Sequence, residues 1–226
     1  MQNILLTQIK KKIKDKESLV LNNKIKILNL FAGIGGNRKL WDEVNPNIEV
    51  IALEYDENIA KAYKDRFPKD ELIIGCAKEY LLKNFRSFDF IWASPPCQTH
   101  TRLLHSQKDR YVYRPKFPDM SLYEIIFFLQ LHSDKFKWVV ENVKPYYKPL
   151  VKPEIEIDRH LFWANFKIAN ISTTKMYIHN DVTLKSLKDF DLSVYKNIKN
   201  KRQVIRNQVN YEVGKHILEC ALLDLR

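Results

Sequence analysis

Phe88-Asp89-Phe90-Ile91-Trp92-Ala93, followed by Ser94-Pro95-Pro96-Cys97-Gln98, is the stretch from which the fold is read. The first six residues form an apolar run of strand length, and the two prolines after it fix φ and remove two amide donors, so the strand must stop there. That leaves the Cys97 thiol at the carboxyl end of a strand, the edge where open α/β sheets place their ligands. A free cysteine is among the most buried residue types, so a structural thiol is the competing reading. The prolines before it and the polar Gln98-Thr99-His100-Thr101 after it put the sulfur at a strand-to-loop exit, which favours a nucleophile.

Outward from this stretch the chain alternates strand and helix. Ile25 to Phe31, Val50 to Glu54, Leu72 to Ile74, Phe88 to Ala93 and Trp138 to Glu141 read as five strands. Helices are expected from Asn37 to Val44 and from Glu57 to Phe67, and Leu122, Ile125, Ile126 and Leu129 trace an apolar helical face between the fourth and fifth strands. This rhythm predicts an α/β fold with a doubly wound, mostly parallel sheet. Leu161 to Phe166 is a further strand. Asn170 to Asn200 loses the rhythm and reads as a small insertion or lobe. Val213, Ile217, Cys220 and Ala221 share one face of a closing helix, with Cys220 in the core. The division expected is a basic helical extension over 1–23, a catalytic domain over 24–166, a short recognition region over 167–201 and a returning segment over 202–226.

Composition narrows the partners. Thirty-eight Lys and Arg against 27 Asp and Glu give the 226 residues a net charge of +11, and 12% are aromatic. Interleaved cations and rings suit a nucleic acid, whose phosphates and bases need both. Three cysteines without regular spacing suggest a reducing compartment, and the cytoplasm is the expected location. No apolar run is long enough to span a membrane, and no membrane partner is expected. The lysine-rich first 23 residues, with Leu5, Ile9 and Ile13 at helical spacing, read either as an arm on phosphates or as a packed cap with a wet face.

Gly33-Ile34-Gly35-Gly36, between a strand and a helix, makes a nucleotide-type loop in which glycine permits a sharp turn and close ligand approach. The third glycine of a dinucleotide fingerprint would fall at Arg38, which argues against NAD. Glu54 ends the second strand and is placed to accept from both ribose hydroxyls, with Tyr55 beside it to cover an adenine face. An adenosyl ligand without a pyrophosphate fits, namely S-adenosylmethionine.

Phe31-Ala32-Gly33-Ile34-Gly35-Gly36, Glu54-Tyr55, Pro96-Cys97-Gln98 and Glu141-Asn142-Val143 together resemble the C5-cytosine DNA methyltransferase family, in that family's order. Arg159 looks like the second arginine of its paired-arginine motif, and Arg206-Asn207-Gln208-Val209 like its closing Gly-Asn-x-Val motif. The resemblance runs from about Lys24 to the C terminus and implies the methyltransferase form of the Rossmann-like fold. It implies that Cys97 adds to C6 of a flipped cytosine, with its thiol pKa lowered by helix-end amides or cations, while Glu141 protonates N3 and Arg159 holds O2. The cofactor would be held by Phe31, Ala32, Gly33, Ile34, Gly35, Gly36, Glu54, Tyr55, Cys76, Pro95, Asn207 and Val209. Double-stranded DNA would meet Gln98, Arg102, Arg110, Lys167 and Arg202, with His105, Lys108 and Arg114 on a loop closing over it and Lys175, Lys185, Lys188 and Lys199 on phosphates.

Three positions depart from the family pattern: Cys76 stands for an acid that contacts adenine, Ile157 for the first arginine and Arg206 for the glycine. The recognition region is short, so a target of a few base pairs is expected. A compact enzyme of restriction–modification or phage type, working as a monomer and with a cognate nuclease as a further partner, is the leading expectation. A tRNA cytosine-5 methyltransferase of the same family and a catalytically idle DNA-binding homologue are the alternatives. No metal site is expected.

Overall fold

The computed structural model describes residues 24–102, 116–173 and 191–225. The lysine-rich extension, Arg110 and its neighbouring cations, and Lys175, Lys185 and Lys188 lie outside the described residues, so the expected domain division is not tested across its length.

Among the described residues seven strands form one sheet in the order β3-β2-β1-β4-β5-β7-β6. They are β1 (Ile25–Leu30), β2 (Ile48–Glu54), β3 (Glu71–Ile74), β4 (Phe90–Ala93), β5 (Lys137–Val143), β6 (Ile155–Ile157) and β7 (His160–Ala164). The first five pair in parallel, as the sequence rhythm predicts. β7 runs antiparallel between β5 and β6, with Val143 opposite His160. The fold is therefore the doubly wound α/β class, with a reversed strand near one edge.

The strands are sorted by a period of two, and both faces are buried. Ile25, Ile27, Val50, Phe90, Trp92, Val139 and Phe162 face one layer, where α1 (Trp41–Val44) and α6 (Tyr211–Asp224) pack. Leu28, Leu30, Leu53, Ile91, Ala93, Trp138, Val140, Leu161 and Trp163 face the other, against α3 (Ala77–Asn84) and α4 (Ser121–His132). On α4, Leu122, Ile125, Ile126 and Leu129 are all buried, and Cys220 of α6 is buried as expected. α2 (Glu57–Arg66) lays Tyr63 beside Ala52 on the first face and is capped by Asp56, which accepts from the amides of Asn58 and Ile59. A short α5 (Lys201–Arg206) precedes α6.

Two local expectations need correction. The helix read from Asn37 begins only at Trp41. The residues ahead of it stay in turns because their side chains are drawn inward: Asn37 donates to Asn29 Oδ1 at 2.9 Å, and Arg38 is buried. Arg38 bonds Asp70 through Nε at 2.9 Å and Nη2 at 3.0 Å, and Asp42 through Nη1 at 2.8 Å. Those carboxylates outweigh the cost of burial and hold its pKa above the ordinary value. The position that would carry a dinucleotide glycine thus locks the turn to the segment ahead of β3. The strand read as Leu161 to Phe166 spans His160–Ala164 and is antiparallel, which the residue pattern does not encode.

α6 closes over the glycine turn. Trp41 Nε1 donates to the Gly214 carbonyl at 3.1 Å, and a Cβ added at Gly214 would stand 2.2 Å from the Asn37 carbonyl oxygen. Both partners are backbone, so neither side yields cheaply. Gly214→Ala should lower stability by about 1–3 kcal/mol in urea denaturation, the usual cost of overpacking. An unchanged midpoint would show that α6 shifts freely.

Candidate active site

The carboxyl ends of β1, β2, β4 and β5 open onto one cleft of about 420 Å³, within the range that holds a small molecule. The glycine turn forms its floor. Phe31 directly after β1 adopts φ 56°, an uncommon conformation for a bulky side chain, and Gly33 follows at φ 55°. A Cβ at Gly33 would meet nothing within 4 Å, so this position leaves its space to the cleft. Gly35 does not line the cleft, because a Cβ there would run into Phe67. Gly36 is closed from behind by the Val209 carbonyl, 2.8 Å from where its Cβ would sit.

The turn is clasped by Glu54. Its Oε2 accepts from the Gly33 amide at 2.8 Å, and its Oε1 from the amides of Tyr55 at 2.9 Å and Asp56 at 3.0 Å. Burial pushes the Glu54 carboxyl up, and the three amides pull it back. Tyr55 is 81% exposed at the cleft wall, an open ring face available for stacking. Ala32, Ile34, Cys76, Pro95, Asn207 and Val209 line the same space, so every expected cofactor residue except Gly35 is brought together there. Cys76 is exposed at the N-cap of α3 without a side-chain bond. Arg206 has no positive φ, so the missing motif glycine leaves no backbone strain there.

Cys97 and Glu141 face this cleft from neighbouring strands. Asn142, next to Glu141, donates to the Pro95 carbonyl at 2.9 Å and fixes the chain just ahead of the thiol. The Cys97 sulfur lies 3.9 Å from Asn207 Oδ1. The expectation of a depressed thiol pKa is overturned: burial first, and the Glu141 charge second, push Cys97 up to about 11. Its own amide and Arg159 oppose this and are outweighed.

Glu141 is buried and raised to about 7, because desolvation exceeds the help of the Ser94 hydroxyl and Arg159. Trp92 Nε1 donates to Ser94 Oγ at 2.9 Å, which occupies a lone pair and turns the hydroxyl proton toward the carboxylate. His160 Nε2 lies 3.5 Å from Glu141 Oε1. Burial, with the Arg159 charge behind it, holds His160 down to about 3, so the contact is polar and not an ion pair. The reversal of β7 brings His160 to the edge where β5 ends.

Arg159 stands exposed in the turn between β6 and β7, and Asp158 takes φ 55° to make that turn. It does not line the cleft, but its charge reaches both Cys97 and Glu141. Ile157, in place of the first family arginine, points into the core. Gln98 lines the cleft and is exposed. Arg102 lies 3.5 Å from the Pro145 carbonyl, Lys167 pairs with Glu154 at 3.0 Å, and Arg202 is exposed on α5, all away from the cleft lining. Ser94, His100, Asn142 and His160 were given no role from sequence. A buried polar residue leaves no mark in a hydrophobic pattern, and adjacency to Cys97 and Glu141 was the available signal.

Comparison with known proteins agrees with this geometry. Residues 25–103 match the family described as C-5 cytosine-specific DNA methylase. The match takes in 79 of the 226 residues. The human tRNA (cytosine(38)-C(5))-methyltransferase is 33% identical over 82 residues, covering 35% of this chain and 21% of that protein. Its Spodoptera frugiperda counterpart is 36% identical over 81 residues, covering 34% and 24%. The matched segment spans less than a quarter of either relative. The solved Spodoptera frugiperda DNMT2 structure superposes with a TM-score of 0.39 at 28% identity, over 53% of this chain and 36% of that one. The residues present fit the S-adenosylmethionine expected from the sequence: the unfilled side of Gly33, the Glu54 carboxylate and the exposed Tyr55 ring line one cleft. Among the described residues no cluster suits a metal, and no helix is long and apolar enough to cross a membrane.

The coupling of Cys97 to Glu141 is open to direct measurement. Glu141→Gln removes the negative charge that raises the thiol, so iodoacetamide should alkylate Cys97 a few-fold faster at pH 8, read by peptide mass mapping. An unchanged rate would show that the two side chains do not sense each other.

Proposed function

We propose that the protein methylates C5 of cytosine in double-stranded DNA, through a transient bond from Cys97 to C6. The observation that carries this reading is the placement of Cys97 and Glu141 at the ends of adjacent parallel strands, facing the cleft that the glycine turn floors. Bound S-adenosylmethionine supplies an electrophilic methyl group. Cys97 as thiolate attacks C6, and the Glu141 carboxyl gives its proton to N3, so that C5 becomes nucleophilic. C5 would take the methyl group as the donor leaves as S-adenosylhomocysteine; loss of the C5 proton to water then expels the thiolate, and the N3 proton returns to Glu141. A carboxyl raised to about 7 still holds a proton at neutral pH, as this role needs. A stacked base hides C6, so the cytosine must leave the helix to reach the cleft. Arg159, exposed beside the cleft, would hold the cytosine O2.

The family description names DNA, and a net charge of +11 suits a polyanion. A second reading is tRNA, favoured by the activity that the curated relatives' names state. Labelled S-adenosylmethionine offered to duplex DNA and to tRNA side by side separates the two. Label in DNA alone, at C5 of cytosine by bisulfite sequencing, supports the proposal. Label in tRNA alone overturns it in favour of the second reading, and label in neither removes both.

Two further outcomes follow from the roles. Cys97→Ser should abolish turnover and the covalent adduct with 5-fluorocytosine duplex while leaving S-adenosylmethionine affinity within about threefold, since the thiol acts on the base. The reactive form pairs an ionised Cys97 with a protonated Glu141. With values of about 11 and about 7, that population climbs tenfold per pH unit below about 7 and is level from there to about 11. The profile of kcat/KM against pH should have this shape. A fall as pH rises from 7 to 9 would contradict it.

A further inference from the structure

We propose that His100 is the positioning residue for the nucleophile: it ties the turn that follows Cys97 to the extension of the strand carrying Glu141, so that sulfur and carboxyl keep a fixed relation. The inference rests on the reading of Cys97 as nucleophile and Glu141 as its acid partner.

His100 is fully buried, and all four of its polar atoms are engaged. Its amide donates to the Cys97 carbonyl at 3.0 Å and closes the turn behind the thiol. Its carbonyl accepts from the Tyr146 amide at 3.2 Å, three residues past the end of β5. Ring Nε2 lies 2.8 Å from the Asp119 carbonyl oxygen. A carbonyl only accepts, so Nε2 carries the proton and Nδ1 is bare. The Tyr147 hydroxyl, 2.6 Å from Nδ1, must then donate. Tyr123 donates to the Tyr147 oxygen at 3.4 Å and accepts from the Leu150 amide at 3.2 Å. The chain therefore runs one way, from the Leu150 amide through two hydroxyls and the imidazole to Asp119, and each donor has one acceptor. Burial lowers the His100 pKa, which keeps the ring in the neutral form that this order requires.

Position explains why the ring is built in here. Asn142 holds the Pro95 carbonyl, one attachment ahead of the thiol. His100 supplies the attachment behind it. Cys97 is thus suspended between two links to β5 and its extension, and the Thr101–Pro145 bridge lies just beyond. Loss of the rear link would let the sulfur swing while the cleft and the cofactor turn stay intact. Displacement of a reacting atom by about 1 Å costs on the order of 10²-fold in rate.

The test uses His100→Gln, which keeps an N–H for Asp119 but offers Tyr147 no ring nitrogen, together with Tyr147→Phe, which removes the same bond from the other side. Each variant should lower kcat about tenfold or more, with KM for DNA and for S-adenosylmethionine within about threefold, and should speed iodoacetamide alkylation of Cys97 at least threefold. The double variant should be no worse than the poorer single, because both delete one bond. The proposal is overturned by kcat within twofold of wild type in both folded singles, by losses confined to KM, by multiplied losses in the double, or by unchanged alkylation. Where His100→Gln does not fold, Tyr147→Phe is read alone by the same criteria. Alkylation needs no substrate, so it tests positioning even if the wild-type protein methylates neither DNA nor tRNA, the result that would remove the proposed function instead.

Discussion

Strand direction is the constraint on which the site depends. Five neighbouring strands run in parallel, so the residues that follow each of them must gather at one edge of the sheet. The glycine turn and Cys97 lie within a few residues past the ends of β1 and β4, Glu54 ends β2, and Glu141 is two residues short of the end of β5. They are distant in sequence and adjacent in space for that reason. β7 satisfies the same geometry in reverse: running antiparallel beside β5, it begins where β5 ends and so delivers Arg159 and His160 to the shared edge.

Two buried glutamates at this edge show how surroundings divide one residue type between two roles. Glu54 is met by three backbone amides, which stabilise its charge and make it a clasp for the turn. Glu141 has a hydroxyl, a neutral imidazole and a more remote arginine, and these fall short of its desolvation. Its proton is therefore held to about pH 7. Burial raises both carboxyls, and at Glu54 the three amides offset part of that rise, since hydrogen bonds to the charged form lower a carboxyl pKa.

Much of this was legible in the sequence because it rests on local rules. A run such as Phe90 to Ala93 closed by two prolines can end in only one way, and Gly33 to Gly36 between a strand and a helix marks a ligand turn wherever it occurs. What stayed hidden depends on partners far along the chain. Three residues at Ile155–Ile157 are too few to show a strand period, and the reversed direction of β7 leaves no trace in alternation. Gln98-Thr99-His100-Thr101 reads as polar and exposed, yet His100 has no accessible surface, because Asp119 and Tyr147 satisfy its ring. The thiol was expected to be acidic by analogy with cations nearby. The structure buries the sulfur and puts an anion nearby as well, and burial does most to raise it.

That reversal has a consequence for how the chemistry must be ordered. A thiol at about 11 beside an ionised carboxylate is a poor nucleophile, and each group makes the other's loss of a proton harder. The same coupling becomes helpful once a proton settles on Glu141, for the charge that adds to the effect of burial on Cys97 is then gone. Thiolate formation and protonation of the base are consequently linked events, and the pair is best regarded as holding one proton between two sites. On the proposed reading, a cytosine that enters and bonds the protonated Glu141 through N3 would favour the arrangement in which Cys97 is ionised. The proposed nucleophile would thus be held in reserve until a base with the right edge is present, which protects the half-buried sulfur from reacting with anything else that reaches the cleft.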